Sequence, residues 1–106
     1  MKPEITLIIT NWNGSNLLKE CLPTVLKAVE YDQGHLYEIM VIDDCSTDDS
    51  LNILAKNFPK IRVEQTPQNL GFQEANNYAV KLTDSKIVMP MNNDIKLNED
   101  ALFYLA

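Results

Sequence analysis

Apolar and polar positions are grouped along this chain in blocks that alternate between strand and helix character. The run Ile5-Thr6-Leu7-Ile8-Ile9-Thr10 is β-branched, uncharged and of strand length, which suits a strand buried on both faces. After Asn13-Gly14-Ser15, the residues Leu18, Cys21, Leu22, Val25 and Val29 recur on one helical face, and Pro23 inside that stripe predicts a kink or a restart. A loop around Gly34 leads to a second strand, Tyr37 to Ile42. Ser46-Thr47-Asp48-Asp49 then resembles a capping box for a helix carrying Leu51, Ile53, Leu54 and Phe58, which Pro59 ends. Ile61 to Gln65 alternates as a third, more exposed strand. The loop Thr66 to Gly71 enters a helix expected to set Phe72, Ala75, Ala79 and Leu82 on one face. Lys86 to Met91 forms a fourth strand, and Asn98, followed by Glu99 and Asp100, is placed to cap a last helix with Leu102, Phe103 and Leu105.

This alternation demands an α/β fold, a Rossmann-like parallel sheet with right-handed crossovers and helices on both faces. The expected strand order is 3-2-1-4, with a switch point between the first and fourth strands where Thr10-Asn11-Trp12 faces Asn92-Asn93-Asp94. The last helix is cut at Ala106 as it begins to develop, so a longer natural protein is expected.

At 106 residues and 45% hydrophobic, the chain is sized for one domain, residues 1–106. No apolar run reaches the roughly 20 residues that span a bilayer, and Met1-Lys2-Pro3-Glu4 lacks a signal-peptide layout, so a cytoplasmic location is expected. Cys21 and Cys45 have neither metal nor disulfide spacing and are expected as free thiols. A net charge of −6 with Arg62 as the sole arginine argues against nucleic acid, whose phosphates need clustered Lys and Arg. A single nucleotide diphosphate stays compatible if a divalent cation neutralises it.

The candidate chemistry lies at the strand exits: Thr10-Asn11-Trp12-Asn13, Asp43-Asp44, Thr66 to Gly71, and Asn92-Asn93-Asp94. In an open parallel sheet these carboxyl ends form the ligand crevice. Gly14, Gly34 and Gly71 cannot make a GxGxxG or Walker A loop, so dinucleotide and P-loop readings fall away. Each element also has a plainer explanation. Asp43 and Asp44 suit a turn or a helix cap, Asn92-Asn93-Asp94 a left-handed turn, and Trp12 a filler. Asn69 and Gly71 shape a loop, Cys45 fills space, and His35 is expected in solvent.

In this order and spacing, Ile8-Ile9-Thr10-Asn11-Trp12-Asn13, Val41-Ile42-Asp43-Asp44-Cys45-Ser46-Thr47-Asp48, Asn69-Leu70-Gly71-Phe72 and Met91-Asn92-Asn93-Asp94 resemble the nucleotide-binding half of family 2 inverting glycosyltransferases of the GT-A fold. The resemblance spans nearly the whole chain. It implies that Asp44 accepts the N3 hydrogen of a uracil or thymine base, that Thr10 and Trp12 contact or stack on that base, and that Asp94, the last acid of a DxD-like element, ligates Mg2+ or Mn2+. Asn92 stands where that element has its first acid, a form similar to a rhamnosyltransferase-like branch. The implied nucleotide-binding set is Thr10, Asn11, Trp12, Asp43, Asp44, Asn69, Gly71, Asn76, Asn92 and Asn93. In Ala75-Asn76-Asn77 an asparagine replaces the family's arginine, which puts more demand on the metal.

The resemblance further implies a donor of UDP-sugar or dTDP-sugar type, an acceptor glycan, lipid or protein left open, and a catalytic base beyond Ala106. The isolated chain is then expected not to turn over, and a full-length protein to work at the membrane periphery. A sheet edge left exposed makes a homo-oligomer an expectation as well. Two other readings compete: a catalytically inactive nucleotide-binding or scaffolding module, and a receiver-type phosphoacceptor. The latter wants its acid pair after the first strand, where this chain has Thr10-Asn11-Trp12.

Overall fold

A computed structural model describes residues 3–94, and the helix expected from Asn98 onward lies outside the described residues. The elements are β1 (Ile5–Asn11), α1 (Ser15–Tyr31), β2 (Tyr37–Asp43), α2 (Ser50–Asn57), β3 (Arg62–Gln65), α3 (Phe72–Val80) and β4 (Ile87–Asn92). All strand pairs are parallel and the order is β3-β2-β1-β4, as expected from the alternation. Pro90 sits on β4, an edge strand among the described residues, which is where a sheet tolerates a residue without an N–H.

Every residue of β1 is buried because helices cover both of its faces. Ile5, Leu7 and Ile9, with Ile39 and Val41 of β2, pack against Leu18, Leu22 and Val25 of α1 and Leu54 of α2. On the other face Ile8, Met40 and Ile42 pack against Ala79 of α3. The register sets Asn11 opposite Asp43 and Thr10 opposite Asn92, so three strands end at one level. No helix of the described residues is long and apolar enough to cross a membrane.

Three local expectations are corrected. Of the kink or restart expected at Pro23, the restart does not occur: α1 runs through it as one helix. The lost ladder bond and ring clash cost about 3 kcal/mol, whereas Leu18, Leu22 and Val25, all fully buried, stabilise the helix by roughly 1.5–3 kcal/mol each. Thr24 Oγ1 also donates to the Cys21 carbonyl beside the proline. The capping box does not form: α2 begins at Ser50, and Asp48, not Ser46, accepts the Ser50 N–H at 2.9 Å. Finally, Phe72 does not join the core stripe of Ala75 and Ala79 but is exposed at the first position of α3.

At the opposite end of the sheet, His35 is not simply solvated. Its Nδ1 lies 3.0 Å from Asp32 Oδ2, which also accepts the Tyr37 hydroxyl at 2.6 Å, while Asp32 Oδ1 accepts the Gly34 N–H. The Tyr37 hydroxyl first, and His35 next, hold the Asp32 carboxyl below its ordinary range. Burial, and then the bond to Asp32, pushes the Tyr37 phenol up. A carboxyl depressed in the folded state stabilises the fold above its unfolded pKa of about 4, and that contribution disappears as pH falls through the lower, folded value. Asp32→Asn should therefore flatten the acid limb of a plot of thermal midpoint against pH. A limb as steep as that of the unmodified chain would contradict this.

Candidate functional site

The site is assembled by loops that leave β1, β2, β3 and β4 at the carboxyl edge. After Asn11 the chain turns sharply: Asn13 takes φ +51°, a left-handed conformation that asparagine tolerates. That turn leaves Trp12 without a core to enter, and it is 59% exposed. Asn13 Oδ1 accepts the backbone N–H groups of Thr47 and Asp48 at 2.7 and 3.1 Å, and its own N–H donates to Ser46 Oγ at 2.8 Å. The loops after β1 and β2 are thereby joined.

Asp44 is 2% exposed and held on three sides. Its Oδ1 accepts from Thr66 Oγ1 and Leu70 N, and its Oδ2 from Gly71 N, each at 2.8 Å. Asn69 Nδ2 donates to the Asp44 carbonyl at 3.1 Å. Gly71 at φ +85° and ψ 165° occupies backbone space that a side chain would strain, and this brings its N–H onto the carboxylate. Cys45, at φ +62°, places Sγ 3.3 Å from the Thr66 carbonyl, as a filler between the loops.

These loops enclose a pocket of about 350 Å3. Trp12, Leu17 and Phe72 form its apolar side, and Thr10, Asp44, Asn69, Gly71 and Asn93 contribute to the rest. Phe72 and Leu17 were missed by pattern reading; the signal available for Phe72 was its place directly after a glycine at a helix start, where a side chain precedes the core-facing turns. A larger groove of about 510 Å3 lies at the amino ends of β2 and β3, away from the strand exits.

The expected site residues divide by position. Thr10, Trp12, Asp44, Asn69, Gly71 and Asn93 line the pocket. Asn11 and Asp43 are wholly buried beneath it and bonded to one another at 3.0 Å. Asn76 accepts the Thr10 hydroxyl at 2.9 Å and does not line the pocket. Asn92 and Asp94 are exposed at the end of β4, on the side from which Asn93 reaches the pocket.

Asp44 is the sole charged residue in the pocket lining among the described residues. Arg62 is occupied elsewhere, by Glu38, Glu64 and the Leu82 carbonyl. At the N-terminus of α1 one N–H is already taken by a carboxylate: Asp48 Oδ2 accepts the Ser15 N–H at 3.2 Å, while Asp48 Oδ1 takes Ser50. Burial works to raise the Asp48 carboxyl, but the donors from Ser50 and Ser15 outweigh it and leave it below its ordinary range. Cys21, beneath this edge, is pushed up to about 11 by burial and then by the field of Asp94, so its thiol stays protonated and inert.

Among the described residues no cationic side chain lines the pocket to meet a diphosphate. The donors at the end of β4 are the Asp94 carboxylate and the amide oxygens of Asn92 and Asn93, a hard oxygen set that fits Mg2+ or Mn2+. No group of three His, Cys, Asp or Glu that could cage a metal occurs among the described residues. Such an ion would therefore complete its shell with phosphate and water oxygens, as suits Mg2+.

Comparison with known proteins follows the same lines. Residues 6–106 match Glycosyl transferase family 2. The chain is 30% identical over 105 residues to the putative teichuronic acid biosynthesis glycosyltransferase TuaG of Bacillus subtilis, covering 95% of this chain and 40% of TuaG. The crystal structure of TarS 1–349 of Staphylococcus aureus in complex with UDP-GlcNAc superposes with a TM-score of 0.79 at 28% identity, over 99% of this chain and 30% of that one. The mannosyltransferase PcManGT of Pyrobaculum calidifontis, in complex with GDP-Man and Mn2+, shares the fold at a TM-score of 0.73 and 22% identity, over 100% of this chain and 33% of that one. The sheet is thus the GT-A, Rossmann-like arrangement, and the chain spans less than half the length of each of these proteins.

Proposed function

Because this chain belongs to glycosyl transferase family 2, we propose that its pocket binds the nucleotide of a sugar donor and that the chain is the donor-binding part of an inverting glycosyltransferase. The observation that carries this reading is the pinned carboxylate of Asp44. Three donors already occupy it, and a carboxylate has about four acceptor positions. One position remains, matched to a single ring N–H such as N3–H of uracil or thymine. Trp12 offers an exposed aromatic face beside it. Thr10, Asn69 and Gly71 shape the base side, while Asn11, Asp43 and Asn76 support it from behind.

Asn92, Asn93 and Asp94 face the diphosphate in this reading, with Asp94 as the metal ligand. A bound Mg2+ or Mn2+ supplies the positive charge that stabilises the departing nucleoside diphosphate. A UDP-type donor agrees with the UDP-GlcNAc complex of TarS, and dTDP shares the same N3–H edge. Inverting transfer also needs a base for the acceptor hydroxyl. Asp44, held by three donors, is unsuited to that role, so the 106-residue chain is expected to bind a donor without turning it over.

Calorimetric titration with UDP, dTDP and CDP, each with and without Mn2+, tests the proposal. UDP and dTDP should bind with Mn2+ at least tenfold more tightly than without it. CDP should lag behind both, because cytosine presents an unprotonated N3 to Asp44. Absence of binding by all three would remove the donor-site reading.

A further inference from the structure

Between the base side of the pocket and the Asn92-Asn93-Asp94 turn lies a chain of polar side chains whose direction is fixed. Asp43 accepts from Ser46 N at 2.9 Å, Ser46 Oγ at 2.7 Å and Asn11 Nδ2 at 3.0 Å. A carboxylate offers only acceptors, so the fully buried Asn11 must present its NH2 to it. That leaves Asn11 Oδ1 on the other side, where it accepts Asn93 Nδ2 at 2.9 Å. Asn93 is then obliged to keep its own Oδ1 away from Asn11, and no donor among the described residues engages that oxygen.

Gly14 makes this joint sterically permissible. A Cβ there would lie 2.3 Å from Asn93 Nδ2 and 2.7 Å from Asn11 Oδ1. The backbone ties the same parts together, since Asp44 N donates to the Asn11 carbonyl at 2.8 Å.

We infer that Asp43, Asn11 and Asn93 form a positioning relay of fixed polarity that orients the turn bearing Asp94 relative to Asp44, with Gly14 supplying the space it requires. This rests on the donor-site reading above. The relay places the cation-binding end of the site under the control of the residue next to the base-binding carboxylate. It also reverses a simple electrostatic expectation: Asn93→Asp adds a carboxylate beside Asp94, yet sets that carboxylate against Asn11 Oδ1 and breaks the relay.

The test is a substitution cycle read as the ratio of UDP affinities with and without Mn2+, alongside thermal unfolding without metal. Asn93→Asp should lower the ratio about tenfold. Asp43→Asn combined with Asn93→Asp should restore it to within about threefold, because Asn11 can then flip, accepting from residue 43 and donating to residue 93. The unfolding midpoint lost by each single substitution should likewise be regained in the pair. A ratio unchanged or raised in Asn93→Asp, or a pair no better than its worse parent, overturns the relay while leaving the donor site standing. If the pair does not fold, Gly14→Ala decides, because its Cβ would press on Asn93 Nδ2 and Asn11 Oδ1 while removing no donor oxygen: a tenfold smaller ratio supports the relay and an unchanged one overturns it. Failure of the unmodified chain to bind UDP, dTDP or CDP overturns both readings.

Discussion

Asp43→Ala is expected to destabilise the fold by about 3–5 kcal/mol, from the loss of charge-assisted bonds and the desolvation cost of stranded donors. The carboxylate is fully buried, and removing it strips acceptors from Asn11 Nδ2, Ser46 N and Ser46 Oγ together. Against a total stability of order 5–15 kcal/mol, this is a large fraction. For a domain of this size it corresponds to a fall in thermal midpoint of more than about 12 °C. Asp43→Asn should cost much less, because its remaining oxygen can still accept the Ser46 N–H and its amide can pair with a flipped Asn11. Urea unfolding of both variants tests the argument, and a loss below about 1 kcal/mol for Asp43→Ala would show that water substitutes freely at this position.

Asp44→Ala is expected to weaken UDP binding in the presence of Mn2+ by a hundredfold or more, about 2.7 kcal/mol. Two effects combine. The acceptor proposed for the base is lost, and so is the group that gathers Thr66 Oγ1, Leu70 N and Gly71 N. Without that anchor the loop into α3 no longer has a reason to hold Gly71 at φ +85°, and the wall carrying Phe72 shifts with it. Asp44→Asn separates the effects in part, since its amide nitrogen donates and cannot accept, so either Leu70 N or Gly71 N loses its acceptor. It should fall between the unmodified chain and Asp44→Ala in calorimetric titration. Binding of UDP to Asp44→Ala within threefold of the unmodified chain would place the base elsewhere.

The architecture was legible because its determinants are local and periodic. A strand such as β1, buried along its whole length, must be uncharged throughout, and the alternation with amphipathic helices leaves few topologies open. The pocket was legible where a strand exit or the loop after β3 meets it, at Trp12, Asp44, Asn69 and Gly71. It was less so for Asn11 and Asp43, polar residues at strand exits that look ready for a ligand. Only the register that sets them side by side reveals that they satisfy each other. Ser46 shows the same competition: it fits a capping box by spacing, but the buried Asp43 carboxylate and the Asn13 N–H claim it first. Phe72 shares the helical spacing of Ala75 and Ala79, yet at the first position of α3 it sits where the chain has not yet turned over the sheet. His35 looked solitary because its partner, Asp32, closes the preceding helix and is brought to it by the turn at Gly34.

The carboxylate of Asp48 on the first N–H of α1 has a broader consequence. Many nucleotide-binding α/β proteins greet an anionic tail with an unclaimed helix end, so that charge and base are gripped by the same covalent framework. Here the first N–H of that end is already engaged from within by a carboxylate. On the proposed reading, selection of the base rests on Asp44 within the polypeptide while the charge of the tail is met by an added cation, so the two traits would be free to drift independently.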